Sequence, residues 1–173
     1  MKAVTDDELR VLRERWLGLT PKNGSVISLT PEERTWVGNL KAPLQVANEM
    51  DWPPYDFAED GEAKGFSIDI IKLAAEKVGI KLDFVNGFTW IELLEKFKRK
   101  ELDILPAVYK TPERQEYISF TSPYAENVSV LVLHKDSEVI KGLEDLEGKT
   151  IAMIEGYATN QVIAKRYPGI RQV

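Results

Sequence analysis

The chain has 173 residues, 43% hydrophobic and 29% charged, with 23 basic against 28 acidic side chains and a net charge of −5. That composition supports a packed core, and without a basic block it argues against a nucleic-acid partner. The lack of cysteine excludes thiol nucleophiles, thiolate metal sites and disulfides, the lone His134 cannot build a multi-histidine metal centre, and no run of ~18 apolar residues or apolar signal-peptide core is present.

In chain order, residues 6–17 read as a short amphipathic helix, with Leu9, Leu12, Trp16 and Leu17 recurring at three- and four-residue steps. Residues 20–25 read as a loop. Thr30 is a natural N-cap, Pro31 fits the first helical position and Glu33 completes a capping box, so a helix runs to about Val37 and ends at Gly38. Residues 44–47 form a short strand. The stretch 49–57 is predicted to be irregular, because Pro53 and Pro54 remove donors and fix backbone angles. Asp60 and Gly61 mark a turn. Ser67 is predicted to cap a helix over 68–78, with Ile68, Ile71, Leu73, Ala75 and Val78 available for burial and Gly79 as its stop. Residues 81–85 alternate as a strand, 90–100 form a second amphipathic helix with Leu93, Leu94 and Phe97 inward, and 103–108 form a third strand.

Strand, helix, strand, helix, strand, with helices long enough to cross over, is the order of a parallel α/β sheet. Beyond it, residues 111–116 read as a short helical turn and 128–133 as a strong strand, apolar except for Ser129. His134 reads as a solvated residue at that strand's end. Residues 149–154 are predicted as another strand, and Gly156 opens a helix over 159–166. This second unit has one clear strand–helix repeat, too little to bury its apolar faces alone. Its partner elements come from another chain or lie outside this segment.

Three groups of residues combine. They are Asp-Trp-Pro-Pro-Tyr-Asp-Phe at 51–57 with Gly-Phe-Ser-Ile-Asp at 65–69; Thr-Pro-Glu-Arg at 111–114 with Phe-Thr-Ser-Pro-Tyr at 120–124; and Leu-Glu-Asp-Leu-Glu-Gly-Lys-Thr-Ile-Ala at 143–152, ending in Glu-Gly-Tyr at 155–157. In this order and spacing, the chain from about Leu40 to its last residue resembles the family 3 extracellular solute-binding proteins. These are the periplasmic amino-acid binders of transport systems and the Venus-flytrap domains of bacterial sensors. Gly-Tyr-Ala at 156–158 and Tyr-Pro-Gly-Ile at 167–170 are similar to the tandem flytrap branch of sensor kinases, and residues 29–36 resemble the joint between consecutive flytrap domains. The resemblance implies an α/β, periplasmic-binding-protein-like (type II) fold of two lobes, the first largely present and the second truncated at Val173. It implies a division into 1–38, the tail of a preceding domain and a linker helix; 39–127, lobe 1; and 128–173, a hinge and partial lobe 2. It places the protein in the periplasm, as the extracytoplasmic part of an inner-membrane protein.

Arg114 is the first candidate for ligand capture. Its planar guanidinium can hold a carboxylate through two parallel hydrogen bonds, and its spacing from Thr111 puts both side chains on one side of a helical turn. Amides at the start of that turn add positive potential. The bland alternative is a surface arginine pairing with Glu113 or Glu116. In the resembling family the matching arginine clamps the ligand's α-carboxylate. Trp52, in the Pro-rich segment after a strand, and Trp90, at the start of a helix, match aromatic residues that cover the ligand's side chain; as plain sequence they also fit a core or a staple. Tyr55 reads as structural. Tyr109 departs from the small polar residue common at its position, although its backbone amide can still donate. Gly156 allows close backbone approach to an anion, whereas Tyr157 and Ala158 replace the hydroxyl residues often found there. Glu49, Asp51 and Asp69 can bind an ammonium group or act as acid–base catalysts, against the blander readings of solvation for Asp51 and of helix-turn capping for Asp69.

These readings converge on a sensory domain that captures an amino-acid-like or carboxylate solute and closes about a hinge at 123–130. No cofactor, metal or catalysis is expected. The partners are the small-molecule ligand, a neighbouring flytrap domain and a membrane-bound output module of the same parent chain, or a second copy of the chain. The alternatives are a free transport receptor, a dehydratase-type enzyme on the same fold, and a structural flytrap without ligand.

Overall fold

The computed structural model describes residues 4–17 and 28–173, and the loop expected over 20–25 lies outside them. The chain separates into two compact units, residues 1–108 and 109–173.

In the first unit, helix α1 (Asp6–Leu17) buries Leu12. Helix α2 (Pro31–Gly38) buries none of its residues. It is instead held at its start by the predicted capping box, in which Thr30 Oγ1 accepts from the Glu33 amide at 3.2 Å and Glu33 Oε2 accepts from the Thr30 amide at 2.7 Å. Strands β1 (Leu44–Ala47) and β5 (Leu82–Val85) pair in parallel, with Val46 opposite Phe84, and helix α3 (Phe66–Val78) crosses over between them. Helix α4 (Trp90–Lys98) begins with a second capping box, Thr89 with Glu92, and gives way to the left-handed Lys100 at φ 62°. Leu93 and Leu102 are buried with Ala47, and Val85, Phe88, Phe97 and Leu105 pack around them.

Three expectations need correction here. The third strand over 103–108 is reduced to one parallel bridge, Val46 to Ile104, because Pro106 has no N–H with which to extend a ladder. The stretch 49–57 is not irregular throughout. Strand β2 (Asp51–Trp52) pairs antiparallel with β3 (Asp56–Glu59), which pairs with β4 (Glu62–Lys64). Both prolines sit in the connection between β2 and β3, where no ladder donor is needed, while Asp60 and Gly61, both at positive φ, make the two-residue turn between β3 and β4. Finally, Ser67 does not cap α3. The helix begins at Phe66, two residues before the expected start, and its Phe66 and Ser67 amides donate to the Pro54 and Tyr55 carbonyls, each at 2.8 Å. Ser67 is buried, and its hydroxyl finds no partner among the described residues.

Gly65, at φ 123°, makes that docking possible: a Cβ there would lie 2.4 Å from the Tyr55 carbonyl oxygen. Gly65→Ala is therefore expected to destabilise the fold by about 2 kcal/mol or more, read as a fall in the urea midpoint. A change under about 0.5 kcal/mol would show that the hairpin and α3 do not need this approach.

The second unit has its own core. Strand β6 (Thr150–Ile151) pairs in parallel with β7 (Arg171–Gln172), and α5 (Ala158–Arg166) connects them. Leu146, Ile163 and Ile170 are buried together, with Ile140, Leu143, Ile151, Met153 and Tyr167 around them. The expected strand over 149–154 shortens to its first pairs, and β7 carries no sequence signal strong enough to predict it. The strand expected over 128–133 does not form. Its residues find no ladder partner among the described residues, and Val128, Val130 and Val132 are 82%, 78% and 90% exposed. Among the described residues no helix is long and apolar enough to cross a membrane.

Candidate ligand-binding site

Arg114 is the first residue of a 3-10 turn, Arg114–Glu116, and is only 6% exposed. A buried guanidinium must spend its donors on acceptors, since an unpaired buried charge is costly. Nη1 donates to the Tyr109 carbonyl and Nη2 to the Gly156 carbonyl, both at 2.9 Å. Each terminal nitrogen carries two N–H groups, so a carboxylate can be received beside these carbonyls or in exchange for them. The Thr111 hydroxyl accepts from the Arg114 amide at 3.2 Å, so Thr111 pins the turn that aims the guanidinium. Glu113 accepts from Gln161 on α5.

The structure thus brings Tyr109, Thr111, Arg114 and Gly156 together. Tyr109 and Gly156 each offer a backbone carbonyl to the Arg114 guanidinium. Gly156 sits at φ 79° in the connection from β6 to α5. Half-buried Tyr157 is the N-cap of α5, without a side-chain capping bond.

The two tryptophans belong to the first unit. Trp52 ends β2 and is half-buried against Tyr55, with ring centroids 5.5 Å apart; Tyr55 in turn meets Phe66 edge-on at 6.3 Å. Trp90 is the half-buried first residue of α4.

Beside Trp52 lies a polar network that no sequence motif signalled. Asn48 follows the last residue of β1 and is fully buried, as is Asp56 at 2% exposure. Asn48 Nδ2 donates to Asp56 Oδ1 at 2.6 Å and to the Phe57 carbonyl at 3.1 Å, and the Glu49 amide donates to Asp56 Oδ1 at 3.2 Å. Asn86, just past β5, donates to Asn48 Oδ1 at 3.3 Å and to the Gly61 carbonyl at 2.8 Å. Burial pushes the Asp56 carboxyl up to about 7, against the lowering effect of the bonds from Asn48 and Glu49. The only available signal was position: polar residues directly after the apolar strands β1 and β5, at the ends where parallel α/β sheets present their ligand-contacting loops. Among the other carboxylates, Glu49 is buried, Asp51 is exposed and Asp69 is half-buried, accepting from Trp16 and Arg15. Among the described residues no group of three or more His, Asp or Glu is placed to hold a metal ion.

A parallel strand–helix–strand lobe with a hairpin over its strand ends, followed by a smaller α/β unit, defines an α/β protein of the periplasmic-binding, type II Venus-flytrap class. The chain belongs to the bacterial extracellular solute-binding proteins, family 3, whose profile matches residues 44–169. It is 26% identical over 180 aligned residues to the virulence sensor protein BvgS of Bordetella pertussis, an alignment that covers 100% of this chain and 14% of the sensor. It is 31% identical to the ABC transporter arginine-binding protein 1 of Escherichia coli, over 70% of this chain and half of that protein. Among solved structures, an ancestral arginine-binding protein bound to arginine matches with a TM-score of 0.66 and 30% identity, covering 76% of this chain and 59% of that one. The chain therefore spans half or less of these curated relatives' length.

Proposed function

We propose that this chain belongs to a periplasmic sensory domain that captures an amino-acid-like or small carboxylate solute, within a signalling protein anchored in the inner membrane. One observation carries the capture reading: a guanidinium only 6% exposed, on a turn pinned by Thr111, donates to the backbone carbonyls of Tyr109 and Gly156, the latter in the connection that opens α5. A carbonyl is a weaker acceptor for a guanidinium than a carboxylate, so an incoming acid group gains by joining or displacing one. Trp52 and Trp90 are assigned to contact the rest of the ligand, and Gly156 and Tyr157 to approach it from the α5 connection. The sensory role, rather than free transport, is supported by similarity to a sensor that runs through α1 and α2 as well as the binding unit. The neighbouring domain and output module of the parent, and self-association through the exposed residues 128–133, are proposed partners. No cofactor and no catalytic step are part of this reading.

A thermal-shift screen of the chain with amino acids and small carboxylates tests it. Binding to the folded state alone raises stability by about 2.7 kcal/mol when ligand stands at a hundred times Kd. At least one carboxylate is expected to raise Tm. A uniformly flat screen contradicts capture, and formation of an aromatic product from prephenate would replace it with an enzyme.

A further inference from the structure

The helix that precedes the binding unit is fastened to the hairpin that carries Trp52. Trp16, near the end of α1, spans two elements. Its indole Nε1 donates to Asp69 Oδ2 of α3 at 2.9 Å, and its ring meets Phe57 of β3 edge-on, with centroids 6.0 Å apart. Arg15 Nη1 donates to the same Asp69 oxygen at 3.2 Å. Near the other end of α1, Glu8 pairs with Lys77 at 2.7 Å, and Leu12, between the two ends, is buried. Phe57 lies where α1 can affect the candidate site. It is paired with Asp51 in β2 and Lys64 in β4, and it directly follows Asp56, the register partner of Trp52. The hairpin has other ties to α3, through Lys72 Nζ to the Ala63 carbonyl at 2.9 Å and through the Phe66 and Ser67 amides. Of these ties, the one made by Trp16 begins in the chain that leads into the domain.

We propose that Trp16 is a positioning residue for the candidate site: by bridging Asp69 and Phe57 it fixes the β2–β3–β4 hairpin, and with it Trp52, against α3, and so couples the segment before α2 to the ligand-facing hairpin. A helix that merely covered apolar surface would need no donor at this point. Here a half-buried carboxylate receives both Trp16 and Arg15, which sets the rotation of α1 as well as its position. The proposal rests on the capture reading only for what Trp52 does; the coupling itself is present without ligand, so a flat ligand screen would leave it standing.

The test is amide hydrogen exchange on the full chain without ligand, comparing the unaltered protein with Trp16→Ala, Trp16→Phe and Leu12→Ala. Leu12→Ala removes a buried apolar side chain from α1 while leaving Trp16, Phe57 and Asp69 themselves in place. Trp16→Ala is expected to speed exchange of residues 51–64 about tenfold, and Trp16→Phe, which keeps a ring but loses the N–H, by a smaller factor, while β1 and β5 amides stay protected in both. Leu12→Ala is expected to leave the hairpin within about twofold of the unaltered protein. The proposal is overturned if Trp16→Ala leaves residues 51–64 unchanged, or if Leu12→Ala loosens them equally, which would make α1 a simple cover. Should Trp16→Ala fail to fold, Trp16→Phe decides alone: an unaltered hairpin in that variant refutes the coupling.

Discussion

Arg114→Ala is expected to lower stability by about 2–4 kcal/mol and to remove ligand stabilisation altogether. The first effect follows from geometry: the substitution deletes two charge-assisted bonds and leaves the Tyr109 and Gly156 carbonyls without that donor in a largely buried setting. The second follows from the proposed clamp. Because the two losses would be confounded in one variant, Arg114→Lys separates them. Lysine keeps the charge and reaches one acceptor, but it cannot present a planar fork, so stability should fall by about half as much while carboxylate binding still drops by about a hundredfold. Urea unfolding with circular dichroism reads the first effect, and titration calorimetry at a temperature where both proteins are folded reads the second. A lysine variant that binds like the unaltered protein refutes the fork.

The second large effect is a stability that falls as pH rises, set by Asp56. Its folded pKa is raised to about 7 from 3.8, so between those values the folded chain holds a proton that the unfolded chain releases. Stability is therefore greater on the acid side of this window and is lost as pH rises through about 7, by a few kcal/mol at most. The groups facing the carboxyl are Asn48 and the Glu49 amide, with Trp52 opposite in the β2–β3 register. Asp56→Asn keeps an acceptor for both donors and removes the titration. It should be more stable than the unaltered protein at pH 8 and about equal to it at pH 4. Glu8 acts in the opposite sense at lower pH: burial raises its pKa, but the bonds from Lys77 and Thr5 outweigh that and hold it at about 2, so its contribution disappears only as pH falls from about 4.5 toward 2. Urea midpoints between pH 4 and 8 check the sign; a midpoint that rises with pH across that range contradicts the burial of a protonatable Asp56.

How much of this was legible depended on whether the determining chemistry was local. The Thr30–Glu33 box, the α3 stop at Gly79 and the inward Leu93 and Leu94 rest on residues within one or two turns, and the structure places them as the sequence predicts. The strand expected over 128–133 had the right residues, but pairing requires a partner strand that composition does not reveal. The prolines at 53 and 54 obscured the β2–β3 pairing because they rule out a ladder only at their own positions. At the site, the spacing of Thr111 and Arg114 was readable, since an i, i+3 pair is a local fact. The acceptors were not readable: every residue has a carbonyl, so nothing in the identities of Tyr109 and Gly156 marks them as the groups that Arg114 holds. Asn48, Asp56 and Asn86 come from three separate stretches and become a network only through folding.

The most direct measurement compares acids with their uncharged counterparts. Titrating the chain with the common amino acids and with the carboxamide of each isolates the ligand's acid group while keeping its side chain. At least one acid is expected to bind, with its carboxamide at least about a hundredfold weaker, and Arg114→Lys should erase most of that difference. If no acid binds, or if acids and carboxamides bind alike, Arg114 is a staple for two loops and the chain does not capture carboxylates through it.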